Sequence, residues 1–162
     1  AFERIADEFP DATLRFVGGH MGLEKNREHR RRIERLAESG RAAGRIEFGD
    51  RVADLASVYA AAYAVLNFSA SESFSLTCQD ASAFGLPVIA TRCGGPEEIV
   101  EDGVSGYLVP VGDVEAMAER MRRLLSDPAL AAKMGERGAE LIRERFSPTA
   151  YRSQVKRLLN LP

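Results

Sequence analysis

The sequence predicts an α/β fold in which parallel strands alternate with helices that cover both faces of one sheet. Short apolar segments recur along the chain, and each is followed by a longer segment whose apolar residues have helical spacing. Turns rich in glycine or serine separate these segments. A chain of 162 residues is long enough for one domain with a full core, so we expect residues 1–111 to form the α/β core and residues 112–162 to add C-terminal helices.

The first elements follow from apolar spacing and from the residues that end each segment. The first ten residues have their apolar side chains on one helical face, and we expect this helix to end at Pro10. An apolar strand is predicted over Thr13–Val17. A strongly polar helix is predicted over Glu24–Glu38, which Gly40 ends, and a short strand follows over Ile46–Phe48.

The same alternation continues through the middle of the chain. A helix is predicted over Val52–Ala62 and an apolar strand over Ala64–Phe68. The next pair is a helix over Leu76–Phe84 and a strand over Pro87–Thr91, followed by a short helix over Pro96–Glu101. Because each strand is separated from the next by a helix, the strands should pair in parallel.

The C-terminal part is helical after one last strand, Gly106–Val109. Two Asp-Pro or Ser-Pro pairs interrupt its amphipathic pattern and divide it into three helices. These helices are predicted over Val114–Leu125, Ala129–Arg145 and Thr149–Leu159.

Composition excludes several classes of function. A net charge of −2 gives no electrostatic basis for a nucleic-acid partner. No apolar run approaches the roughly 20 residues that span a bilayer, and no signal peptide is visible. Cys78 and Cys93 match no metal-site spacing, so we expect no metal and two reduced thiols, as in a cytoplasmic protein.

Three glycine- or serine-rich turns follow predicted strands. They are the Gly18 turn (Gly18-Gly19-His20), the Glu72 turn (Ser69 to Ser75) and the Gly94 turn (Arg92 to Pro96). In parallel α/β folds, ligands bind outside the carboxyl ends of the strands. The second and third turns each open a helix, whose free N–H groups and positive dipole end favour a phosphate. Ordinary α/β connections contain similar turns, so a phosphate site is a hypothesis at this point.

An acidic pair marks the second of these turns. Glu72 lies before the predicted helix and Asp80 lies about one turn into it, so both carboxylates can face one crevice. A carboxylate at Asp80 can accept two hydrogen bonds from a vicinal diol such as ribose. Alternatively, Thr77 and Asp80 have the spacing of a capping box, which would give the acids a structural role.

Taken together, the motifs resemble the C-terminal, donor-binding domain of family 4 retaining glycosyltransferases, whose GT-B architecture pairs two Rossmann-like domains. The resemblance covers nearly the whole chain, and its pieces occur in the family's order. They are FVGG at 16–19, IEFG at 46–49, SASESFS at 69–75, Asp80, AFGLPVIAT at 83–91, GGPEEIV at 94–100, DGVSGYLVP at 102–110, DPAL at 127–130 and ERFSP at 144–148.

This resemblance implies roles for named residues. Glu72 corresponds to the first acid of an E-x7-E motif, the catalytic position that contacts the donor sugar near the reacting carbon. Asp80 takes the place of the second acid, which binds the ribose hydroxyls. The resemblance implies further binding positions. They line the nucleotide cleft, face the base, or hold sugar and phosphate through main-chain amides. These positions are Gly18, Glu47, Ser73, Phe74, Ser75, Leu76, Gly94 and Gly95.

The chain departs from the family pattern at several positions. Asp80 is one methylene shorter than the usual Glu, and Gln79 replaces an apolar residue. Ser73 and Ser75 replace the glycines of the family's E-G-F-G, and we expect a side chain at Ser75 to crowd the sugar or to select a different one. These departures alter the predicted site but do not remove it.

The resemblance also implies parts that this sequence does not contain. These are a basic Arg/Lys pair that neutralises the pyrophosphate, the acceptor-binding N-terminal domain, and the first, central strand of the present domain, between those at Thr13 and Ala64. We therefore expect the chain to be part of a longer protein, with an empty or foreign-filled slot in its sheet, and to be inactive alone.

The function that follows is nucleotide-sugar binding within a retaining hexosyltransferase. The family needs no cofactor and no metal. We expect a UDP-sugar donor, with GDP- and ADP-sugars as alternatives. We expect the parent enzyme to be cytoplasmic, and any contact with the inner membrane face to be made by a part of it outside this chain. The competing hypothesis is a degenerate, non-catalytic donor domain that acts as an interaction module for a catalytic chain.

Overall fold

A computed structural model describes residues 1–18 and 24–160 and divides the chain into two compact units, Ala1–Ser57 and Val58–Pro162. Each unit has its own parallel sheet flanked by helices, so the predicted α/β class with parallel strands is confirmed. That all 162 residues form one domain remains a prediction.

The first unit contains a two-stranded sheet. Strands β1 (Leu14–Phe16) and β2 (Ile46–Phe48) pair in parallel with Leu14 opposite Ile46, and the rings of Phe16 and Phe48 stack at a centroid distance of 4.9 Å. Helix α1 (Phe2–Ile5) precedes β1, and α2 (Glu24–Ser39) lies between the strands.

The first helix is shorter than predicted. It ends at Ile5 rather than at Pro10, because the Ile5 carbonyl accepts hydrogen bonds from both Glu8 N and Phe9 N and closes the segment as a turn. Its apolar face was predicted correctly, since Phe2, Ile5 and Ala6 are buried.

The boundary between the two units lies within helix α3 (Leu55–Ala61). This helix begins three residues later than the predicted Val52. The Asp54 carboxylate accepts hydrogen bonds from Ala56 N and Ser57 N and so caps its first turn.

The second unit is built on a three-stranded parallel sheet of order β3-β4-β5, in which β4 is central. Asn67 lies opposite Ala90, and Thr91 lies opposite Val109. Its elements are β3 (Val65–Asn67), α4 (Leu76–Ala83), β4 (Val88–Thr91), α5 (Gly95–Ile99), β5 (Gly106–Val109), α6 (Val114–Ser126), α7 (Pro128–Phe146) and α8 (Pro148–Leu158).

The core of this unit surrounds the central strand. Every residue of β4 and β5 is buried, and because side chains alternate between the faces of a strand, both faces of these strands are covered. Helix α4 packs against β3 and β4, and α6 packs against β4 and β5. The carboxyl ends of β3 and β4 are thereby held side by side on a rigid base.

Helices α4 and α7 approach closely through two glycines of α7. A methyl group added at Gly135 would overlap the carbonyl oxygen of Gly85, which is backbone and cannot rotate away. A methyl group added at Gly138 would meet Ser82 Cβ at an ordinary 3.4 Å. Of these two residues of α7, only Gly135 is therefore required to be glycine by packing. Within the described part of the chain, none of the helices is long and apolar enough to cross a membrane.

Because of this difference, replacing glycine by alanine at positions 135 and 138 of α7 should have different effects on the stability of the fold. Gly135→Ala should lower the free energy of unfolding by about 1–3 kcal/mol, because α7 must move away from the Gly85 carbonyl. Gly138→Ala should leave it unchanged or raise it by up to about 1 kcal/mol, because alanine is the better helix former. Urea denaturation of both variants measures the two values. A Gly138→Ala variant as unstable as Gly135→Ala would contradict this account of the packing.

Candidate functional site

Two of the predicted turns meet at the carboxyl ends of β3 and β4. Main-chain hydrogen bonds join them: Glu72 N donates to the Cys93 carbonyl at 3.1 Å, and Gly95 N donates to the Glu72 carbonyl at 2.7 Å. The Glu72 turn and the Gly94 turn therefore form one structure, paired as two strands would be.

The glycines of the Gly94 turn allow this approach. Gly94 has φ +112°, and an added Cβ would lie 2.5 Å from the Glu72 carbonyl oxygen. At Gly95 an added Cβ would lie 2.5 Å from Phe74 Cα. Both glycines thus serve the contact with the neighbouring turn, and the direct ligand contact expected of them stays a prediction.

Ser75 starts helix α4. Its hydroxyl accepts a hydrogen bond from Cys78 N at 3.3 Å, which makes Ser75 the N-cap. The alternative capping box of Thr77 and Asp80 is therefore wrong, because the helix begins two residues before the position that it requires. Ser75 is 2% exposed, so its side chain points into the protein and does not crowd the open side of the turn as expected.

The amides around the start of α4 are free to bind a ligand. The main-chain N–H groups of residues 73–77 donate no hydrogen bond to any part of the chain that the structure describes. Successive free amides at a helix N-terminus favour phosphate or sugar oxygens. Ser73 and Leu76 are exposed, so this end of the helix is open to solvent.

The N-terminus of α5 differs from the expected second anion site. Gly94 N donates to the Glu97 carboxylate at 2.8 Å, and Gly95 N is used by the Glu72 carbonyl. The first amides of α5 are thus satisfied within the protein, and the Glu97 carboxylate stands where an anion would bind. Of the two predicted helix ends, only that of α4 is open.

Both carboxylate oxygens of Glu72 are held by hydrogen bonds. Ser69 Oγ donates to Oε1 at 2.8 Å, and Asn67 Nδ2 donates to Oε2 at 3.1 Å. Partial burial is the strongest single influence on this carboxyl and acts to raise its pKa. The combined hydrogen bonds from Ser69, Ser75 and Asn67 outweigh it, so the pKa of Glu72 is lowered below its ordinary value.

Asp80 lies on α4, about one turn from the open amides. Its half-buried carboxylate forms no hydrogen bond or ion pair with any residue in the described ranges 1–18 and 24–160. Burial and, next in size, the Asp80 charge raise the pKa of the Tyr59 hydroxyl, which places the two side chains near each other. An unpaired carboxylate in such a position is available to a ligand.

The other predicted binding residues, Phe74, Gly18 and Glu47, lie in different surroundings. Phe74 packs edge-on against Phe146 at 5.8 Å, so its ring anchors the turn. Gly18 and Glu47 belong to the first unit, where Gly18 has φ +135° and the exposed Glu47 pairs with Arg15 at 3.9 Å. Gly19 and His20 of the Gly18 turn lie outside the described residues.

Sequence reasoning missed Asn67 and gave Ser69 no role. Asn67 is the last residue of β3 and is 8% exposed, and its side chain touches Glu72, Ser75 and Cys78. An asparagine within the apolar run VLNF was the signal that could have revealed it, because a buried amide needs partners. In the part of the chain that is described, no cluster of His, Cys, Asp and Glu side chains could hold a metal ion.

Residues 1–141 match the family described as "Glycosyl transferases group 1". The chain is 35% identical over 156 residues to an N-acetyl-alpha-D-glucosaminyl L-malate synthase of Bacillus anthracis, covering 96% of this chain and 39% of that protein. This chain therefore spans about two fifths of that relative's length.

Two solved structures share the fold. A sucrose-phosphate synthase of Thermosynechococcus elongatus superposes with a TM-score of 0.83 and 33% identity, covering 98% of this chain and 40% of that one. Anabaena Alr3699/HepE in complex with UDP-glucose superposes with a TM-score of 0.79 and 27% identity, covering 93% and 41%.

The hydrogen bonds on Glu72 predict how stability depends on pH. Because the pKa of folded Glu72 is below its unfolded value, ionised Glu72 stabilises the fold above about pH 4.5, and this contribution is lost as pH falls through the lowered pKa. Glu72→Gln should therefore be less stable than the wild type near pH 7, and the gap should close at low pH. Urea denaturation of both proteins between pH 7 and pH 3 measures it.

A matched control removes one negative charge elsewhere. Glu136→Gln, on the exposed side of α7, corrects for the change in net charge. A difference between wild type and Glu72→Gln that stays constant across the whole pH range would show that the carboxylate is not held as described.

Proposed function

The chain belongs to the group 1 glycosyl transferases, and we propose that within this family it binds the nucleotide-diphosphate sugar donor of a retaining hexosyltransferase. The observation that carries the proposal is the set of free amides of residues 73–77, which lies between the fixed carboxylate of Glu72 and the unpaired carboxylate of Asp80. A nucleotide sugar presents the groups that such a site binds, namely phosphate oxygens and hydroxyls.

The free amides of α4, Asp80 and Glu72 each bind a different part of the donor. The N-terminus of α4 takes the distal phosphate and sugar oxygens, because its amides and dipole favour negative charge. Asp80, about one turn along, accepts hydrogen bonds from the ribose diol. Glu72 contacts the transferred sugar near the reacting carbon. The roles of Gly18 at the nucleotide cleft and of Glu47 at the base are implied by the family resemblance alone and stay predictions.

Retention follows from how this donor would react. The diphosphate leaves from the face that the acceptor attacks, while Glu72 holds the sugar in position. Negative charge develops on the departing phosphate in the transition state. The free amides at the start of α4 are preorganised donors for that charge, and in many enzymes stabilisation of this kind contributes more to the rate than any other effect.

UDP is the proposed nucleotide, with GDP and ADP as alternatives. Anabaena Alr3699/HepE, which shares this fold, was solved with UDP-glucose. The acceptor site is assigned to a part of the protein outside these residues, since the chain spans 39% of the Bacillus anthracis relative. We therefore expect this chain alone to bind a donor without transferring its sugar.

The competing interaction-module hypothesis loses one of its grounds. It depended partly on Ser75, whose side chain was expected to obstruct the sugar. Ser75 is buried and caps α4, so the substitution contributes to the turn rather than closing it. Asp80 in place of the usual Glu remains the test position.

A titration of the chain with nucleotides tests the donor proposal. In ¹H–¹⁵N NMR spectra, UDP and UDP-glucose should shift resonances of residues 72–80 more than GDP or ADP does. Asp80→Asn should weaken UDP binding by roughly tenfold to a hundredfold, the effect of losing a charged hydrogen bond of about 1.5–3 kcal/mol. Asp11→Asn, at an exposed carboxylate of the first unit, should bind like the wild type. Equal affinities in all three proteins, or shifts elsewhere only, would reject the assignment.

A further inference from the structure

Asn67 occupies a central position behind the Glu72 turn. It is the last residue of β3, it is buried, and its side-chain amide faces the turn. Nδ2 lies 2.6 Å from Ser75 Oγ, 3.1 Å from Glu72 Oε2 and 3.5 Å from Cys78 Sγ. On the other side, Oδ1 lies 2.8 Å from Ser69 Oγ, whose single proton it shares with Oε1 of Glu72. The contacts of the amide are thus made with the Glu72 turn and with Cys78 in the first turn of α4.

Through these contacts Asn67 controls both oxygens of Glu72. It donates directly to Oε2, and its Oδ1 competes with Oε1 for the single proton of the Ser69 hydroxyl, which lies 2.8 Å from both oxygens. Glu72 forms no ion pair with any described residue, so neutral donors alone fix its plane. A titratable group near it is the buried thiol of Cys78, which itself contacts Asn67, and Cys93 lies in the facing Gly94 turn.

The same amide also contacts the start of α4. Ser75 Oγ accepts hydrogen bonds from both Asn67 Nδ2 and Cys78 N, so the N-cap and the Glu72 carboxylate share one buried partner. The hydrogen bond from Cys78 N holds the N-cap without Asn67, so we expect loss of the Asn67 amide to affect the Glu72 carboxylate more than the free amides of α4. Nothing in the packing of β3 alone requires an amide there, because its strand neighbours Val65 and Leu66 are apolar.

We propose that Asn67 is a positioning residue whose amide sets the orientation of the Glu72 carboxylate relative to the open end of α4. Its consequence for donor binding depends on the function proposed above. Since Glu72 is assigned to the sugar, Asn67 should matter for recognition of the sugar more than for recognition of the nucleotide. A merely structural asparagine would affect stability without this distinction.

The first measurement needs no ligand. In chains with ¹³C-labelled glutamate carboxyls, the NMR titration of Glu72 should move to higher pH in Asn67→Leu, a change of similar size that removes the donor. Asn67→Asp keeps the shape, removes the donor and adds a charge, and it should move the titration further in the same direction; it serves if the leucine variant does not fold. Ser82→Ala is the matched control, because Ser82 is also buried, lies on α4, and has a hydroxyl without a partner among the described residues.

The second measurement compares two ligands. Asn67→Leu should weaken UDP-glucose binding by about tenfold and UDP binding by clearly less, whereas Ser82→Ala should change neither. Unchanged titration of Glu72 in both Asn67 variants would overturn the proposal whatever the affinities are. An equal loss for both ligands would also overturn it, since Asn67 would then act on the whole turn. If the wild type binds neither ligand, the donor function fails, and the carboxyl titration still decides whether Asn67 orients Glu72.

Discussion

The site depends on the main-chain pairing of the Glu72 turn with the Gly94 turn. Glu72 N and O are both engaged by the opposite backbone, so the residue that carries the carboxylate is fixed at its Cα. This pairing is possible only where no Cβ intervenes, and Gly94 and Gly95 provide that space. Parallel strands β3 and β4 bring the two turns together, because their carboxyl ends lie at the same edge of the sheet.

Three polar side chains, of which Asn67 and Ser75 are buried and Ser69 is half-buried, support this pairing. Asn67, Ser69 and Ser75 connect the end of β3, the carboxylate of Glu72 and the start of α4. Hydrogen bonds to both of its oxygens restrict the movement of the Glu72 carboxylate. The main-chain amides of residues 73–77 remain available for a ligand, as the proposed donor binding requires.

The glycines and serines of these turns have more than one role. The motif residues Gly94 and Gly95 are explained by packing against Glu72 and Phe74, whatever ligand they also contact. Ser75 replaces a glycine of the family pattern and has become the N-cap of α4. Motif residues can thus be required by the scaffold, and their presence alone does not show which atoms would touch a ligand.

The sequence by itself determined the α/β class, the order of the elements and the turn that carries Glu72. Periodicity, proline and glycine act locally, and the ordered motifs identified the family. The tertiary structure decided which amides are free, how the glycines are used and what holds Glu72. Asn67 and Ser69 are brought to the carboxylate by the strand end and the turn, and Cys93 and Gly95 by the neighbouring turn. Hydrogen bonds of this kind depend on distances and angles between segments, which spacing along a chain does not specify.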